Sequence, residues 1–338
     1  MTVRVGINGL GRIGRLVLRA GWGRPDIEFV HLNELACDAE TTAHLLEFDT
    51  VHGRWLPNMI TASADVIKIN NHAIRYSRST TIDGVDWHNL GIDLVLECTG
   101  VFKTPEALQP YLNNGVKRIV VAAPIKKDPI LDIVYGINHN LYDPTKHKIV
   151  TAASCTTNCL APVIKAVHET FGIERGSMTT IHNVTNTQVV VDAPHSDKRR
   201  ARSALNALIP TTTGSATAIT RIYPELRGKL NGHAVRVPLL NASLTDCVFE
   251  LKKTATAEHV NAAFDAYANG ELKNILGLEQ RMLVSSDFTN DARSSIVDAP
   301  STMVVDGTHL KVYAWYDNEW GYVNRMIDIV EMVRSQGL

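Results

Sequence analysis

Three glycines in the stretch GLGRIG, residues 9–14, constrain the fold of this 338-residue chain more than any other feature. They follow a buried-strand pattern, Val3 to Ile7, and open a helical pattern, Arg12 to Arg19. Glycines at this spacing permit a tight turn, close approach of a pyrophosphate to the backbone, and close packing of helix on strand. The pattern predicts a strand–turn–helix unit whose helix N-terminus can hold a phosphate, although an ordinary glycine-rich turn is the alternative.

A carboxylate at the end of the next strand favours the first interpretation. The apolar run from Ile27 to Leu32 is typical of a second strand, and Glu34 follows it, 20 positions after Gly14. A carboxylate there can accept hydrogen bonds from the ribose hydroxyls of a dinucleotide, and it repels a 2′-phosphate. The sequence therefore predicts a dinucleotide site that prefers NAD to NADP.

The order of predicted elements indicates two different domains. Strands alternate with helices over roughly the first 150 residues, which predicts an α/β, doubly wound parallel sheet of the Rossmann type. After a long helix from Thr156 to Phe171, longer alternating strands predict an α+β domain with a mainly antiparallel sheet. We expect domains at 1–154 and 155–317, with a C-terminal helix at 318–338 that packs back on the first. The predicted strands are 3–7, 27–32, 65–69, 73–76, 94–98, 118–122, 133–135, 176–184, 233–237, 243–252 and 309–316; other helices are 40–48, 105–114 and 319–335.

Composition excludes several classes of protein. A formal net charge of −1 gives no global field for nucleic acid or an anionic membrane. No apolar run approaches the roughly 18 residues of a membrane span. A strand pattern begins at once, so we expect no signal peptide. Five cysteines are too few for a disulfide framework in a chain of this length, and we expect a cytoplasmic, reduced protein.

Two thiols four positions apart, Cys155 and Cys159, raise four possibilities. A disulfide is disfavoured because neighbouring turns of one helix do not bring the side chains into the required geometry. A metal site is not expected because no second pair of ligands at short spacing follows. Cys159 faces an apolar helix stretch, which is typical of core packing. Cys155 begins the helix, where unpaired N–H groups favour thiolate, so a nucleophilic role competes with inert packing.

A thiolate near a nicotinamide implies a definite chemistry. It can add to an aldehyde, and the hemithioacetal can pass a hydride to NAD and leave a thioester. A histidine has a suitable pKa for the base in such a reaction. Among 13 histidines, His182 is the best placed, at the end of a predicted strand and before a polar loop. From its position alone, His182 could instead be a structural residue.

Seven motifs make the chain resemble the phosphorylating glyceraldehyde-3-phosphate dehydrogenase family. They occur in family order along the whole chain: INGLGRIGR, HLLEFDTVHGRW, ASCTTNC, TTIHNVTNTQ, TTTGSATAI, HAVRVP and WYDNEWGYVNRM. The resemblance implies that Cys155 is the nucleophile and His182 the base. It also implies that glyceraldehyde 3-phosphate and inorganic phosphate are the substrates, and that the protein is a homotetramer.

The same resemblance assigns binding residues. The expected substrate and phosphate contacts are Ser154, Thr156, Thr185, Arg200, Thr213, Gly214 and Arg236. The expected NAD contacts are Gly9, Gly11, Arg12, Ile13, Gly14, Glu34, Arg78, Thr99, Asn318 and Tyr322. Arg236 within an apolar strand, and Arg200 within a basic run, could instead be solvated surface residues. Glu34 and Ala122 depart from the aspartate and the serine or threonine of many members, so we expect weaker NAD binding than in those members.

Alternative functions remain at this stage. The sister activity on erythrose 4-phosphate uses water to resolve the thioester, and Thr213-Gly214 argues instead for a phosphate pocket. A redox-sensing NAD-binding protein without catalysis is a more distant alternative. Three segments, HLLEFDTVHGRW, NVTNTQ and PTTTGSATAI, resemble the members found in bacterial arsenic-resistance operons, which implies arsenate as a second acceptor.

Overall fold

The computed structural model describes residues 2–125, 127 and 130–338. The chain divides into two compact units. The first contains residues 1–154 together with 323–338, and the second contains residues 155–322. No helix among the described residues is both long and apolar enough to cross a membrane.

The first unit is built on a nine-stranded sheet in the order β3-β4-β5-β2-β1-β6-β7-β9-β8. Neighbouring strands are parallel, except that β3, β4 and β5 form an antiparallel meander at one edge. This arrangement confirms the predicted doubly wound sheet. Its strands are β1 (Val3–Asn8), β2 (Ile27–Asn33), β3 (Ile60–Ser63), β4 (Val66–Ile69), β5 (His72–Ser77), β6 (Leu94–Glu97), β7 (Arg118–Val121), β8 (Leu131–Asp132) and β9 (Ile149–Thr151); its helices are α1 (Arg12–Gly21), α2 (Ala39–Glu47) and α3 (Pro105–Asn113).

The central strands are buried on both faces because helices cover the sheet. In β1 and β6 nearly every residue is buried, as the continuous apolar patterns indicate. Parallel pairing of β1 with β2 and with β6 brings the carboxyl ends of these strands to one edge. Residues that follow those ends, such as Gly9, Glu34 and Cys98, therefore belong to the same edge of the sheet.

One predicted strand of this unit is wrong. The sequence predicts a strand over residues 133–135, whereas the strand is β8, Leu131–Asp132. The amide N–H of Val134 donates instead to the side chain of Asn138 at 2.8 Å, and the chain turns. An asparagine side chain that captures a backbone N–H competes with ladder pairing, which an apolar pattern does not reveal.

The second unit is built on an eight-stranded sheet whose main path is β11-β12-β10-β13-β17-β15-β14, with β16 paired to β17. Most pairs are antiparallel, as predicted, but β10–β12 and β14–β15 are parallel. The elements are α4 (Cys155–Phe171), β10 (Ile173–Asn183), β11 (Ile209–Thr212), α5 (Ser215–Ile222), β12 (Leu230–Val237), β13 (Ser243–Leu251), α6 (Ala257–Asn269), β14 (Leu276–Glu279), β15 (Ser295–Asp298), β16 (Met303–Val305), β17 (His309–Tyr316) and the first residues of α7 (Trp320–Ser335).

Burial alternates along β13, where every second residue from Ser243 to Leu251 is buried. The buried face lies against α4, most of which is itself buried. This one-sided burial is the pattern expected of an antiparallel sheet with a helical layer on one face. The sheet carries the ends of β10 and β12, and with them His182 and Arg236, to the neighbourhood of the first turn of α4.

Candidate active site

Cys155 is the first residue of α4. Two residues earlier, Ala153 has a φ of 52°, a left-handed conformation that is rare for a residue with a side chain. Its N–H donates to Thr151 Oγ1 at 3.0 Å, which helps to hold this turn between β9 and α4. Strained backbone of this kind concentrates at functional sites. The geometry places the Cys155 thiol at the helix N-terminus, where the peptide dipoles favour an anion.

The thiol of Cys155 meets the imidazole of His182. Cys155 Sγ lies 3.6 Å from His182 Nε2, and the His182 side chain is buried. On the other side of the ring, Nδ1 lies 2.8 Å from the carbonyl oxygen of Asn183. An N–H of Arg236 Nη1 directed at Nδ1, 2.6 Å away, would require the ring proton on Nε2, whereas a proton on Nδ1 that is donated to the Asn183 carbonyl leaves the lone pair of Nε2 facing the thiol. The base in the reaction is this second tautomer. The pair is then arranged for transfer of the thiol proton to His182.

Arg236 supplies the positive charge of this cluster. Pairing of β10 with β12 sets Arg236 opposite His182, and Arg236 Nη1 lies 2.6 Å from His182 Nδ1. Arg236 Nη1 also donates to the carbonyl of Asn183 at 3.0 Å, while Arg236 Nε is buried and has no hydrogen-bond partner in the described part of the chain. A buried guanidinium nitrogen with an unused N–H is suited to an anionic ligand.

Burial and the charge of Arg236 act together on the pKa of His182 but oppose each other on the pKa of Cys155. Burial, followed by the charge of Arg236, lowers the pKa of His182 to about 3. The ring is therefore neutral at pH 7, the form that accepts a proton. Burial raises the pKa of Cys155, and the charge of Arg236 and a hydrogen bond with Thr156 oppose that rise. Both shifts disfavour a thiolate beside an imidazolium, so the helix N-terminus alone overstates how readily this thiol ionises.

A chain of buried hydroxyls fixes the first turn of α4. Tyr316 Oη lies 3.0 Å from Thr156 Oγ1 and 2.8 Å from Thr180 Oγ1. Thr180 is on the same face of β10 as His182, two positions before it. Sequence analysis assigned no role to Thr180 or Tyr316, although Thr180 could have been found by its two-residue spacing from His182. Cys159 is fully buried on the same helix, so its predicted place in the core is confirmed.

Ser243 joins two amide side chains at the end of β10. Its Oγ lies 3.0 Å from Asn183 Oδ1 and 3.1 Å from Asn318 Oδ1, and it accepts the N–H of Asn183 at 3.2 Å. All three residues are buried. Asn318, the expected carboxamide contact, is therefore oriented by a serine that sequence analysis did not single out. Tyr322 is buried in the first turn of α7.

The other expected anion contacts are not all gathered around Arg236. Thr185 Oγ1 lies 2.9 Å from Thr187 Oγ1 and donates to Gln188 at 3.1 Å. Thr213 and Gly214 link β11 to α5, and Thr213 Oγ1 lies 3.2 Å from Ser215 Oγ. In the ladder of β11 with β12, Arg236 pairs with Ile209, so Thr213 lies about 13 Å farther along the strand at about 3.3 Å per residue.

Arg200 lies in the long segment between β10 and β11. Its Nε donates to Thr211 Oγ1 at 3.0 Å, and Thr211 Oγ1 in turn donates to Asp197 at 3.1 Å. Arg200 is thus attached to β11, the neighbour of the strand that carries Arg236. It is held by the protein rather than being a freely solvated residue of the basic run.

The glycine turn of the first unit has the close packing that its pattern predicts. A Cβ added at Gly9 would lie 2.7 Å from the backbone nitrogen of Thr99, and one at Gly14 would lie 1.9 Å from the carbonyl oxygen of Gly9. By contrast, a Cβ at Gly11 would meet no atom of the described residues within 4 Å. The turn packs tightly against the protein at Gly9 and Gly14 and leaves free space beside Gly11. Such space is what a pyrophosphate needs in order to approach the backbone.

Glu34 is held over this turn. Its Oε2 accepts the N–H of Leu10 at 2.6 Å, and its Oε1 accepts the N–H of Ala36 at 2.8 Å. Arg12 forms an ion pair with the buried side chain of Asp49, with one bond of 3.2 Å from Nη2. Arg78 Nη2 donates to the carbonyl of Leu35 at 3.2 Å. The expected NAD contacts on β1, α1, β2 and β5 therefore come together at one edge of the sheet.

Comparison with known proteins decides the family. A family profile described as the NAD binding domain of glyceraldehyde 3-phosphate dehydrogenase matches residues 3–105, and one described as its C-terminal domain matches residues 154–318. This chain belongs to the glyceraldehyde 3-phosphate dehydrogenase family. A Nostoc sp. protein named glyceraldehyde-3-phosphate dehydrogenase 3 is 58% identical over 334 residues, 98% of each chain. The glyceraldehyde-3-phosphate dehydrogenase of Geobacillus stearothermophilus is 48% identical over 338 residues, 100% of each chain.

Membership of the glyceraldehyde 3-phosphate dehydrogenase family confirms NAD as the cofactor, since the matched N-terminal profile is an NAD-binding domain. The residues present fit this cofactor. The open side of Gly11 leaves room for a pyrophosphate, and Glu34 stands where a carboxylate selects an unphosphorylated ribose.

Proposed function

We propose that this chain catalyses the NAD-dependent oxidation and phosphorylation of glyceraldehyde 3-phosphate to 1,3-bisphosphoglycerate. The single observation that carries the proposal is the 3.6 Å approach of Cys155 Sγ to His182 Nε2 at the start of α4. Similarity to named glyceraldehyde-3-phosphate dehydrogenases over the whole chain supports the substrate. The Cys155–His182 pair alone would serve several aldehydes.

The reaction begins at Cys155. His182 Nε2 takes the thiol proton, the thiolate adds to the aldehyde carbon, and the imidazolium returns the proton to the aldehyde oxygen, which gives a neutral hemithioacetal on Cys155 and a neutral His182. His182 then accepts the hydroxyl proton while the C–H bond breaks. NAD supplies the hydride acceptor for this step. The product on Cys155 is a thioester.

Phosphate resolves the thioester. An oxygen of inorganic phosphate attacks the acyl carbon, the carbon–sulfur bond breaks, and the thiolate of Cys155 leaves. Arg236 is the cationic group that can hold an anion beside this carbon, because its Nε has no hydrogen-bond partner among the residues that the structure describes. We assign Thr185 with Arg236 to the phosphate of the aldehyde, and Ser154, Thr156, Thr213 and Gly214 to the attacking anion, with Arg200 as a neighbouring contact.

On the cofactor side we assign pyrophosphate contacts to Gly9, Gly11, Arg12, Ile13 and Gly14. Glu34 is assigned to the adenosine ribose, Arg78 to the adenine side, and Thr99, Asn318 and Tyr322 to the nicotinamide side. The domain division at 1–154, 155–317 and 318–338 is part of the same proposal. It is supported by the grouping of residues 323–338 with the first unit.

Arsenate is a second acceptor in this proposal. It is a tetrahedral oxyanion with nearly the charge and acidity of phosphate, so a pocket of hydroxyls, backbone N–H groups and arginine can accept either. Its product, 1-arseno-3-phosphoglycerate, hydrolyses quickly. The sister activity on erythrose 4-phosphate is the alternative function, and a redox-sensing role without catalysis is a more distant one.

We also propose a homotetramer in the cytoplasm. In the segment between β10 and β11, large apolar side chains such as Val191 and Leu208 are 73% and 69% exposed. Such exposure in a long segment is typical of a subunit contact. A cavity of about 720 Å³ lies over the outer face of the second sheet and is lined by residues of β10, β12 and β13. All five cysteines are free, which fits a reducing compartment. Light scattering coupled to size-exclusion chromatography tests the tetramer, and a monomer would contradict it.

The experiment that tests the function measures NADH formation with each aldehyde, with and without phosphate. We expect sustained turnover of glyceraldehyde 3-phosphate that requires phosphate. Faster, phosphate-independent turnover of erythrose 4-phosphate would establish the alternative. No NADH from either aldehyde would leave the redox-sensing role.

A further inference from the structure

A buried carboxylate of the first unit has no role in the reaction described above. Glu97, the last residue of β6, is 1% exposed. Its Oε1 accepts the N–H of Thr99 at 2.8 Å and also the hydroxyl of Thr99. Its Oε2 accepts Asn8 Nδ2 at 3.0 Å and the hydroxyl of Tyr111 at 2.7 Å. Four donors thus converge on one carboxylate inside the protein.

One of these donors, Asn8, is the last link of a longer chain of side chains with one direction. Ser77 donates to Asn33 Oδ1 at 2.7 Å, Asn33 Nδ2 donates to Asn8 Oδ1 at 2.8 Å, and Asn8 donates to Glu97. Because the Ser77 proton is used on Asn33, the contact of 2.8 Å between Ser77 Oγ and His31 Nε2 requires a proton on that nitrogen. Every proton in the chain therefore points towards Glu97.

This directed chain crosses the carboxyl ends of four neighbouring strands: β5, β2, β1 and β6. A chain of donors needs an acceptor at its end, and an ionised carboxylate is the strongest acceptor that a protein offers. Burial raises the pKa of Glu97, and the hydrogen bonds from Thr99, Tyr111 and Asn8 oppose that rise. A buried network whose members from Ser77 to Glu97 are hydrogen-bonded to one another fixes one arrangement of the backbone around it.

The arrangement it fixes is the glycine turn. Asn8 immediately precedes Gly9, and a Cβ added at Gly9 would lie only 2.7 Å from the backbone nitrogen of Thr99, so Gly9 packs directly against Thr99. Glu97 therefore holds both chain segments that meet at this contact, one through Asn8 and the other through Thr99. The hydroxyl of Thr99 is occupied, since it donates to Glu97 and accepts the N–H of Val101 at 3.0 Å. Thr99 thus contributes to the NAD site mainly because its backbone lies beside Gly9, and not through its hydroxyl group.

We propose that Glu97, together with Tyr111, is a positioning residue for NAD that clamps the Thr99 segment against the glycine turn. This inference rests on the proposed function, because it concerns the same cofactor site. It predicts that loss of these side chains affects NAD binding and the chemical step differently. Loss of the clamp weakens NAD binding, whereas the chemistry at Cys155 proceeds normally once NAD is bound at saturation.

Two substitutions and a matched control test the clamp. Glu97→Gln turns one acceptor oxygen into an NH₂ group that faces donors, and Tyr111→Phe removes one donor. Tyr142→Phe is the control, because Tyr142 is also buried in this unit and accepts a hydrogen bond from Arg118 at 3.0 Å. Isothermal titration of each full-length variant with NAD gives Kd, steady-state assays give kcat and KM, and thermal unfolding gives Tm.

We expect Kd and KM for NAD to rise about tenfold or more in Glu97→Gln and about threefold in Tyr111→Phe, with kcat within about threefold of wild type. Tyr142→Phe should lose a similar amount of Tm to Tyr111→Phe and keep the wild-type Kd. An unchanged Kd in Tyr111→Phe, or an equal weakening in Tyr142→Phe, would overturn the proposal. If Glu97→Gln does not fold, the comparison of the NAD Kd of Tyr111→Phe with that of Tyr142→Phe tests the proposal. Failure of the proposed function is a separate result, namely no NADH from the wild-type protein.

Discussion

Cys155 and His182 are 27 positions apart in the chain, and the ends of their side chains lie 3.6 Å apart. The contact exists because α4 begins at Cys155 and β10 ends one residue after His182. Asn183 holds the other nitrogen of the ring through its carbonyl oxygen. A thiol at a helix N-terminus beside an oriented, neutral imidazole is the arrangement from which the chemistry follows.

Cys155→Ser should abolish dehydrogenase activity and leave the fold intact. A hydroxyl at the start of α4 is not ionised at neutral pH, so the hemithioacetal loses its nucleophile. NADH assays together with circular dichroism check this expectation. Activity within tenfold of wild type would rule out Cys155 as the nucleophile. Cys37→Ser is a suitable control, since that thiol lies 3.3 Å from Thr42 in the first unit and should be dispensable.

His182→Asn should retain much of the substrate binding and slow hydride transfer by roughly 10²–10⁴-fold, the usual contribution of a positioned base. It should also slow alkylation of Cys155 by iodoacetamide near pH 7, because burial raises the pKa of this thiol and His182 is its proton acceptor. Single-turnover kinetics and alkylation rates measure the two effects. An unchanged alkylation rate would show that the pair does not share the thiol proton.

Glu34→Ala should weaken NAD binding and relax discrimination against NADP, because the ribose loses its acceptor and the 2′-phosphate loses its repulsion. Glu34 also accepts the N–H of Leu10, so Glu34→Gln is the matched variant that keeps an acceptor and removes the charge. The ratio of kcat/KM for NAD and NADP should fall in both variants. A ratio that does not move in either variant would show that Glu34 is not the selector.

The ion pair of Arg12 with Asp49 should make the stability of the first unit depend on pH. Burial alone would raise the pKa of Asp49, but hydrogen bonds from Arg12, His52 and Val51 lower it to about 2. An ordinary aspartate titrates near 3.9, so this stabilisation is complete above about pH 4 and is lost as the pH falls through about 2. Denaturant unfolding should give a wild-type advantage over Asp49→Asn of about 1–2 kcal/mol at pH 7, after allowance for solvent screening. An advantage that stays constant down to pH 2 would contradict the assignment.

Arsenate should sustain NADH production at an efficiency comparable to or above that with phosphate. The acyl arsenate hydrolyses quickly, so product does not accumulate and the reverse reaction does not stall turnover. Progress curves at matched phosphate and arsenate concentrations measure this directly. A strong preference for phosphate, with arsenate supporting only a small fraction of that efficiency, would leave phosphate as the single acceptor.

Patterns within a few residues predicted the individual strands, helices and turns that short segments determine. The glycine turn, the strands β1 and β2 and the helix that begins at Cys155 each have a signal within a few residues, and the structure has all of them. The strand expected at residues 133–135 failed because the side chain of Asn138 captures a backbone N–H. No hydrophobic pattern reports such a bond.

Contacts between distant residues could not be predicted in this way. His182 stood out only weakly before the family motifs were considered, because its partner Cys155 belongs to another element. The polar chain that ends on Glu97 joins four strands and depends on proton directions that emerge only when the side chains are placed. Ser243 is similar, since its role depends on Asn318, 75 positions away.

In the proposed reaction Cys155 carries an acyl thioester that phosphate resolves, and rapid mixing without phosphate isolates this intermediate. Wild-type protein mixed with NAD and glyceraldehyde 3-phosphate should give a burst of NADH stoichiometric with the chain and then nearly stop. Mass spectrometry of the quenched sample should locate the acyl group on Cys155, and added phosphate should release it and restart turnover. Continued NADH formation without phosphate, or a burst with no acyl group on Cys155, would rule out a thioester on Cys155 that phosphate resolves.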